Sequence, residues 1–237
     1  MSIEDDIIKH KILLQRLTGA QASIMLSAVK QAEKLAIKAI NAGVTNFKEL
    51  KIKIDKLIKA SIDESIAALV DIAEYEEKFV KKLLKKHKKE VTTDDLALAA
   101  IIASLLMPTS LNKPGLKIKK SYEKLASAQT NDIIQLLRDT VTKKASDRVD
   151  SINMLVNGKI STQTKSLAGL SINRVASEVA LLTYETSNVK KVQWIATLDG
   201  TCPYCEFLHT TVFDVEDSIP ECPAHVNCRC ELVPYDD

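Results

Sequence analysis

From Leu50 to Ala73 the apolar residues Leu50, Ile54, Leu57, Ile58, Ile62, Ile66, Leu69, Val70 and Ala73 recur three and four apart. That spacing lines one face of an α-helix, whereas a half-buried strand would alternate every second residue. The same period holds over most of the first 187 residues and leaves little room for a sheet-based body. Residues 2–42 read as one helix, with Met25, Val29, Ala32, Ala36, Ala39 and Ile40 on its apolar face and Gly43 at its C-terminal cap. Asn46 and Glu49 have the spacing of a capping box, which opens the helix that carries the stripe above. That helix runs into FVKKLLKKHKKE at 79–90, and Thr92 or Thr93 caps a third helix ending near Met107 and Pro108.

Two prolines and a glycine between Pro108 and Leu116 predict a loop or hinge. Beyond it, Leu125, Ile133, Leu137, Val141, Ala145, Val149 and Ile152 stay in helical register until Asn157 and Gly158, where the helix is expected to break. A last helix is expected over Thr162–Ser187. Aromatics make up 4% of the chain, and Gly and Pro number six each, which suits long helices and not a β-sandwich. At Val189 the texture changes. Val192–Leu198, Thr211–Phe213 and Cys230–Pro234 read as short strands, and Asp199-Gly200 reads as a turn. The expected architecture is therefore mainly α: an elongated multi-helix body over 1–110 and 111–188, then a small β-rich module over 189–237.

Charge follows the same division. Residues 190–237 hold three basic and nine acidic residues, a net of −6, so the overall +2 leaves +8 on residues 1–189. The helical part thus suits an acidic partner. Its densest cluster is Lys81, Lys82, Lys85, Lys86, Lys88 and Lys89, a candidate nucleic-acid contact. Arginine is scarce and no aromatic is interleaved, so a solvated lysine face is the plainer reading. The acidic start Met1-Ser-Ile-Glu-Asp-Asp is unlike a signal peptide, and the apolar run Leu96–Met107 is shorter than the roughly 20 residues a bilayer requires. No membrane association and a reducing cytoplasm are expected.

All five cysteines fall between Cys202 and Cys230. An odd count in a reducing compartment argues against a disulfide framework. Cys202-Pro-Tyr-Cys205 is the tetrapeptide of glutaredoxin-like enzymes, but only 32 residues follow it, too few for their sheet to close around it. A metal site fits better. Cys-x2-Cys supplies two ligands from one turn, and CPAHVNCRC at 222–230 supplies the rest. The candidate ligands are Cys202, Cys205, His225, Cys228 and Cys230, with the preferred set Cys202, Cys205, His225 and one of Cys228 or Cys230. The last two would alternate across an extended segment, which disfavours both on one ion. Zinc in a closed, structural role suits four such ligands, and His209 is expected to bond locally.

The pattern Asp199, Thr201, Cys202, Cys205, Leu208, then Phe213, then Pro223, His225, Cys228, Arg229 and Cys230, following a strand with Trp194, resembles the phage head morphogenesis family of Mu F-like minor head proteins. The likeness covers roughly residues 165–235, and Glu185 in LLTYET matches an element of the preceding helix. Tyr184 departs from that element, and Cys222 stands where the family often has a proline, which argues that Cys222 is not a ligand. The resemblance implies a virion protein at the portal vertex in the capsid interior, made in the host cytoplasm and not an enzyme. Its implied partners are the portal protein and/or the major capsid protein, with packaged DNA nearby and a homo-oligomeric arrangement around the portal. Its implied roles are head assembly and DNA packaging or ejection. Two other readings stay open: a zinc-framed His-Asn-His-type nuclease, since HVNC resembles such a motif, and a cytosolic zinc-stabilised adaptor.

Overall fold

The computed structural model describes residues 3–86, 118–196, 200–217, 219–225, 228 and 230–235. The third helix expected before Pro108, the loop after it, and Lys88 and Lys89 lie outside these residues. The described chain is mainly helical, with one small three-stranded sheet near its C-terminal end. Helix α1 spans Ile3–Asn41 and α2 Lys48–Lys86. Helices α3 (Ile118–Asp139), α4 (Ala145–Leu155) and α5 (Ser161–Thr186) follow, and five residues of π-helix, Val156–Ile160, join the last two. The final segment holds β1 (Lys191–Ile195), the short helix α6 (Pro203–Leu208), β2 (Val212–Asp214) and β3 (Glu231–Tyr235). None of the described helices is long and apolar enough to cross a membrane.

The chain folds into two compact units, each discontinuous in sequence. Among the described residues, one unit comprises 19–68 and 118–168. Its core is built from the stripes read above: Met25, Val29, Ile54, Ile58, Ile133, Leu137 and Ile152 are all fully buried. Gln21, also buried, donates to the Ser65 carbonyl at 2.6 Å, and Gln129 donates to Thr164 Oγ1 at 2.9 Å. These bonds satisfy side-chain N–H groups that would otherwise cost free energy in an apolar interior.

Within this unit the structure corrects the helix expected to end at Asn157-Gly158. The break comes earlier, at 140–144, where the chain turns between α3 and α4. Thr140 Oγ1 donates to the Leu136 carbonyl at 2.7 Å, and Lys143 N donates to the Thr140 carbonyl at 2.9 Å. Buried Arg148 reaches back across the turn to the Leu137 carbonyl at 3.4 Å. Val141, expected on the apolar face, is 39% exposed in the turn. Asn157 and Gly158, by contrast, stay helical. Lys30 donates to Asn157 Oδ1 at 2.7 Å, and Lys159 pairs with Asp132 at 2.7 Å. The capping box is also modified: Asn46 Oδ1 accepts from Lys48 N at 3.1 Å, and α2 begins at Lys48.

The other unit comprises 3–18, 69–86 and 169–235 among the described residues. Its sheet has the order β2-β1-β3, antiparallel throughout, with Val192 opposite both Phe213 and Pro234. The strands β1 and β3 bury Val192, Trp194, Leu232 and Val233. Val192, Trp194 and Leu232 share a core with Val80 and Leu84 of α2 and with Ala180 and Tyr184 of α5. Tyr184 adds a bond from its hydroxyl to the Leu232 carbonyl at 3.2 Å. The β-rich segment is thus packed into helices, and apolar burial contributes to its stability along with whatever its thiols bind.

Candidate metal centre

The first knuckle is one turn of helix. Cys202 occupies the N-cap of α6 in an extended conformation, and Pro203 follows at the first helical position, where its missing N–H costs nothing. Cys202 Sγ accepts from Cys205 N at 3.4 Å. That turn aims both sulfurs the same way. The second knuckle is held by turn and tertiary bonds. Cys228 N donates to the His225 carbonyl at 3.0 Å, and Asn173 of α5 donates from Nδ2 to the Cys228 carbonyl at 2.9 Å. Arg174, next on α5, forms an ion pair with Glu221.

The two knuckles meet at Cys205. Ligand atoms of Cys202, Cys205 and His225 lie within 4.8 Å of one another, and so do those of Cys205, Cys228 and Cys230. Cys205 Sγ is 3.4 Å from His225 Nε2 and 3.7 Å from Cys228 Sγ. A tetrahedral zinc with Zn–S near 2.3 Å and Zn–N near 2.0 Å sets its sulfurs about 3.8 Å apart and S to N about 3.5 Å apart. The observed spacings fit a metal of that size, so this Cys/His cluster could hold one. The five candidate ligands fall into two triads that overlap at Cys205. The objection that Cys228 and Cys230 point to opposite sides does not apply, because Cys228 sits in the turn after His225 and not on a strand.

The thiols are electrostatically unequal. The Cys205 backbone N–H lowers the Cys202 pKa below its ordinary value. Burial pushes the Cys205 thiol up to about 12. A hydrogen bond from Cys230 brings Cys228 down to about 5, and the same contact raises Cys230. A bound dication would favour the thiolate at each ligand it touches.

Cys222 belongs to neither triad. Its buried thiol donates to the Cys230 carbonyl at 3.3 Å, and burial raises its pKa. His209 bonds locally, its Nδ1 accepting from Ala196 N at 3.2 Å. CPYC does follow a strand and open a helix, as in thiol enzymes, but α6 is six residues long and the sheet beside it is antiparallel. In the lysine run, Lys81 pairs with Glu77 at 2.6 Å and Lys86 pairs with Asp6, while Leu83 and Leu84 are buried between them. Asn173 and Arg174 are the residues that motif reading missed. They lie 29 and 28 positions before Cys202 on an ordinary amphipathic helix, and nothing in their spacing points to the knuckles. Comparison with protein-family models, with curated proteins and with solved structures finds no match.

Proposed function

We propose that this chain is a minor head protein of a bacteriophage, whose zinc-bound C-terminal segment is a rigid contact surface on a helical body. The observation that carries this reading is that two ligand triads, Cys202–Cys205–His225 and Cys205–Cys228–Cys230, meet at Cys205, with their residues in the order and spacing of the Mu F-like hallmark. Zinc is the metal of choice because the donors are thiols and an imidazole, with spacings suited to four-coordination. Its role is structural: it joins α6 to the second knuckle and so fixes the shape of the exposed segment around them. The partners are the portal or major capsid protein, inside the capsid at the portal vertex, and the role is in head assembly and DNA packaging or ejection.

Two measurements test the proposal separately. Elemental analysis of purified protein is expected to give about one zinc per chain, absent in Cys202→Ser and retained in Cys222→Ser. Absence of metal in freshly reduced wild type removes the zinc. Co-sedimentation with assembled portal rings is expected for wild type and lost with Cys202→Ser. A zinc-loaded chain that sediments alone rejects the head-protein reading and keeps the staple. Plasmid cleavage with added magnesium would turn the assignment toward a nuclease.

A further inference from the structure

The unit formed by 19–68 and 118–168 carries a cleft of about 780 Å³ between α2 and α3, well apart in sequence from every cysteine. Lys59 of α2 and Lys119, Lys120 and Lys124 of α3 line it, with Ser127 and Asn131 further along. Lys120 and Lys124 are exposed, and neither has an ion-pair partner among the described residues. Lys119 is paired with Asp63 at 2.9 Å and Lys59 with Asp55 at 2.8 Å. Asp63 is 80% exposed, and such surface pairs contribute little, so Lys119 can exchange its partner for a competing anion at small cost. Asp63 and Glu123 also line the cleft; they are the opposing charges and limit the affinity.

The pattern along α3 decides what kind of anion fits. Lys120, Lys124, Ser127 and Asn131 fall at i, i+4, i+7 and i+11, which is one stripe on one helix face. At 1.5 Å per residue the stripe is about 16 Å long, far more than one phosphate spans. A nucleic-acid strand presents a phosphate about every 3.4 Å of axis, so the stripe runs alongside about five of them. Among the described residues no aromatic lines the cleft, which removes the stacking platform that single strands use. Among the described residues no arginine lines it either, which removes the usual bidentate reader of guanine.

We infer that this cleft binds the phosphate backbone of double-stranded nucleic acid without sequence preference. The inference stands on the cleft alone and is independent of the metal and of the head-protein reading.

The test is fluorescence anisotropy with a labelled duplex of arbitrary sequence, titrated between about 20 and 150 mM salt. Wild type is expected to bind, with log K falling linearly against log salt. Lys120→Gln/Lys124→Gln, which changes only exposed side chains, is expected to make that slope shallower by about 2 and to weaken binding about tenfold or more at the lowest salt. Lys81→Gln/Lys82→Gln is the control, expected to stay within about twofold of wild type because its cations lie outside the cleft. Circular dichroism shows that each variant folds. Three results overturn the inference: no salt-dependent binding by wild type, an unchanged slope in the cleft variant, or an equal fall in both variants. Displacement of the duplex by polyglutamate as readily as by unlabelled duplex assigns the cleft to an acidic protein segment instead.

Discussion

Cys205 is the residue on which the candidate site turns, because its sulfur belongs to both triads. Replacing it by serine is expected to abolish stoichiometric metal. Cys228 is the fourth ligand we assign: it is buried, its sulfur lies 3.7 Å from that of Cys205, and Asn173 fixes its carbonyl. Cys230 lies close enough to support it by hydrogen bonding. Cys228→Ser should therefore also lose the metal, whereas Cys230→Ser should keep it with about 10- to 100-fold lower affinity, as for loss of an outer-shell partner. Asn173→Ala should weaken binding by a similar factor. Elemental analysis after gel filtration, with competition against a chromogenic chelator, reads all four variants. Full metal in Cys228→Ser and none in Cys230→Ser would exchange the two assignments. The cysteine spacing was legible because ligand chemistry leaves few residue types and short intervals. Asn173 was not legible, since a side chain that bonds a distant carbonyl leaves no periodic trace.

The helix boundaries show where local signals decide and where packing does. Gly43 ends α1 with positive φ, +66°, and Gly43 N and Val44 N bond back to the Ile40 and Ala39 carbonyls, each at 3.0 Å. This is the Schellman arrangement that glycine after a helix predicts, so the sequence was readable there. Gly158 carries the same residue type with a different meaning. It lies within the continuous run from α4 to α5, and a glycine inside a helix costs only about 1 kcal/mol, which surrounding contacts override. The real break at 140–144 contains neither Gly nor Pro, and it is stabilised by Arg148 bonding across the turn, which no local rule reveals. The two glycines therefore respond oppositely to the same change. A Cβ meets nothing within 4 Å at either, so only backbone preference differs. Gly43→Ala is expected to destabilise by about 1 kcal/mol, because an L-residue is strained in the left-handed region. Gly158→Ala is expected to stabilise by about 0.5 to 1 kcal/mol. Urea titrations followed by helical ellipticity measure both, and equal signs would show that the environment of one glycine has been misjudged.

The stability of the whole molecule should depend on a buried ion pair that joins α1 to α2 in one unit. His10 of α1 bonds Glu76 of α2 at 2.9 Å, and both side chains are about 98% buried, at 1% and 2% exposure. The His10 ring stacks on Phe79 at 3.7 Å and approaches the Tyr75 hydroxyl at 3.3 Å. Lys11 pairs with Glu231 of β3 at 3.6 Å, bringing a further charge of each sign to the same region. Nothing in the sequence named these partners. His10 falls on the apolar face of its helix, and only the fold supplies the acid opposite it. Burial by itself would lower the His10 pKa, but the bond to Glu76 outweighs it, and the net shift is upward from 6.5. Burial raises Glu76 above 4.5, with His10 opposing. Both folded-state values exceed their unfolded ones, so the native state holds more protons and stability falls as pH rises. For Glu76 the contribution is complete below pH 4.5 and is lost through its raised value; for His10 it is complete below 6.5 and is lost above that. The urea midpoint of wild type is therefore expected to fall between about pH 6 and 8, a window in which ordinary carboxylates do not titrate. His10→Gln/Glu76→Gln removes both titrations, keeps two hydrogen-bonding groups in place, and should flatten that fall. Parallel profiles for wild type and the double variant would mean that the pair titrates alike in the folded and unfolded chain, and the pH dependence would then have to come from other groups, such as Glu231, whose pKa burial also raises, or the thiols.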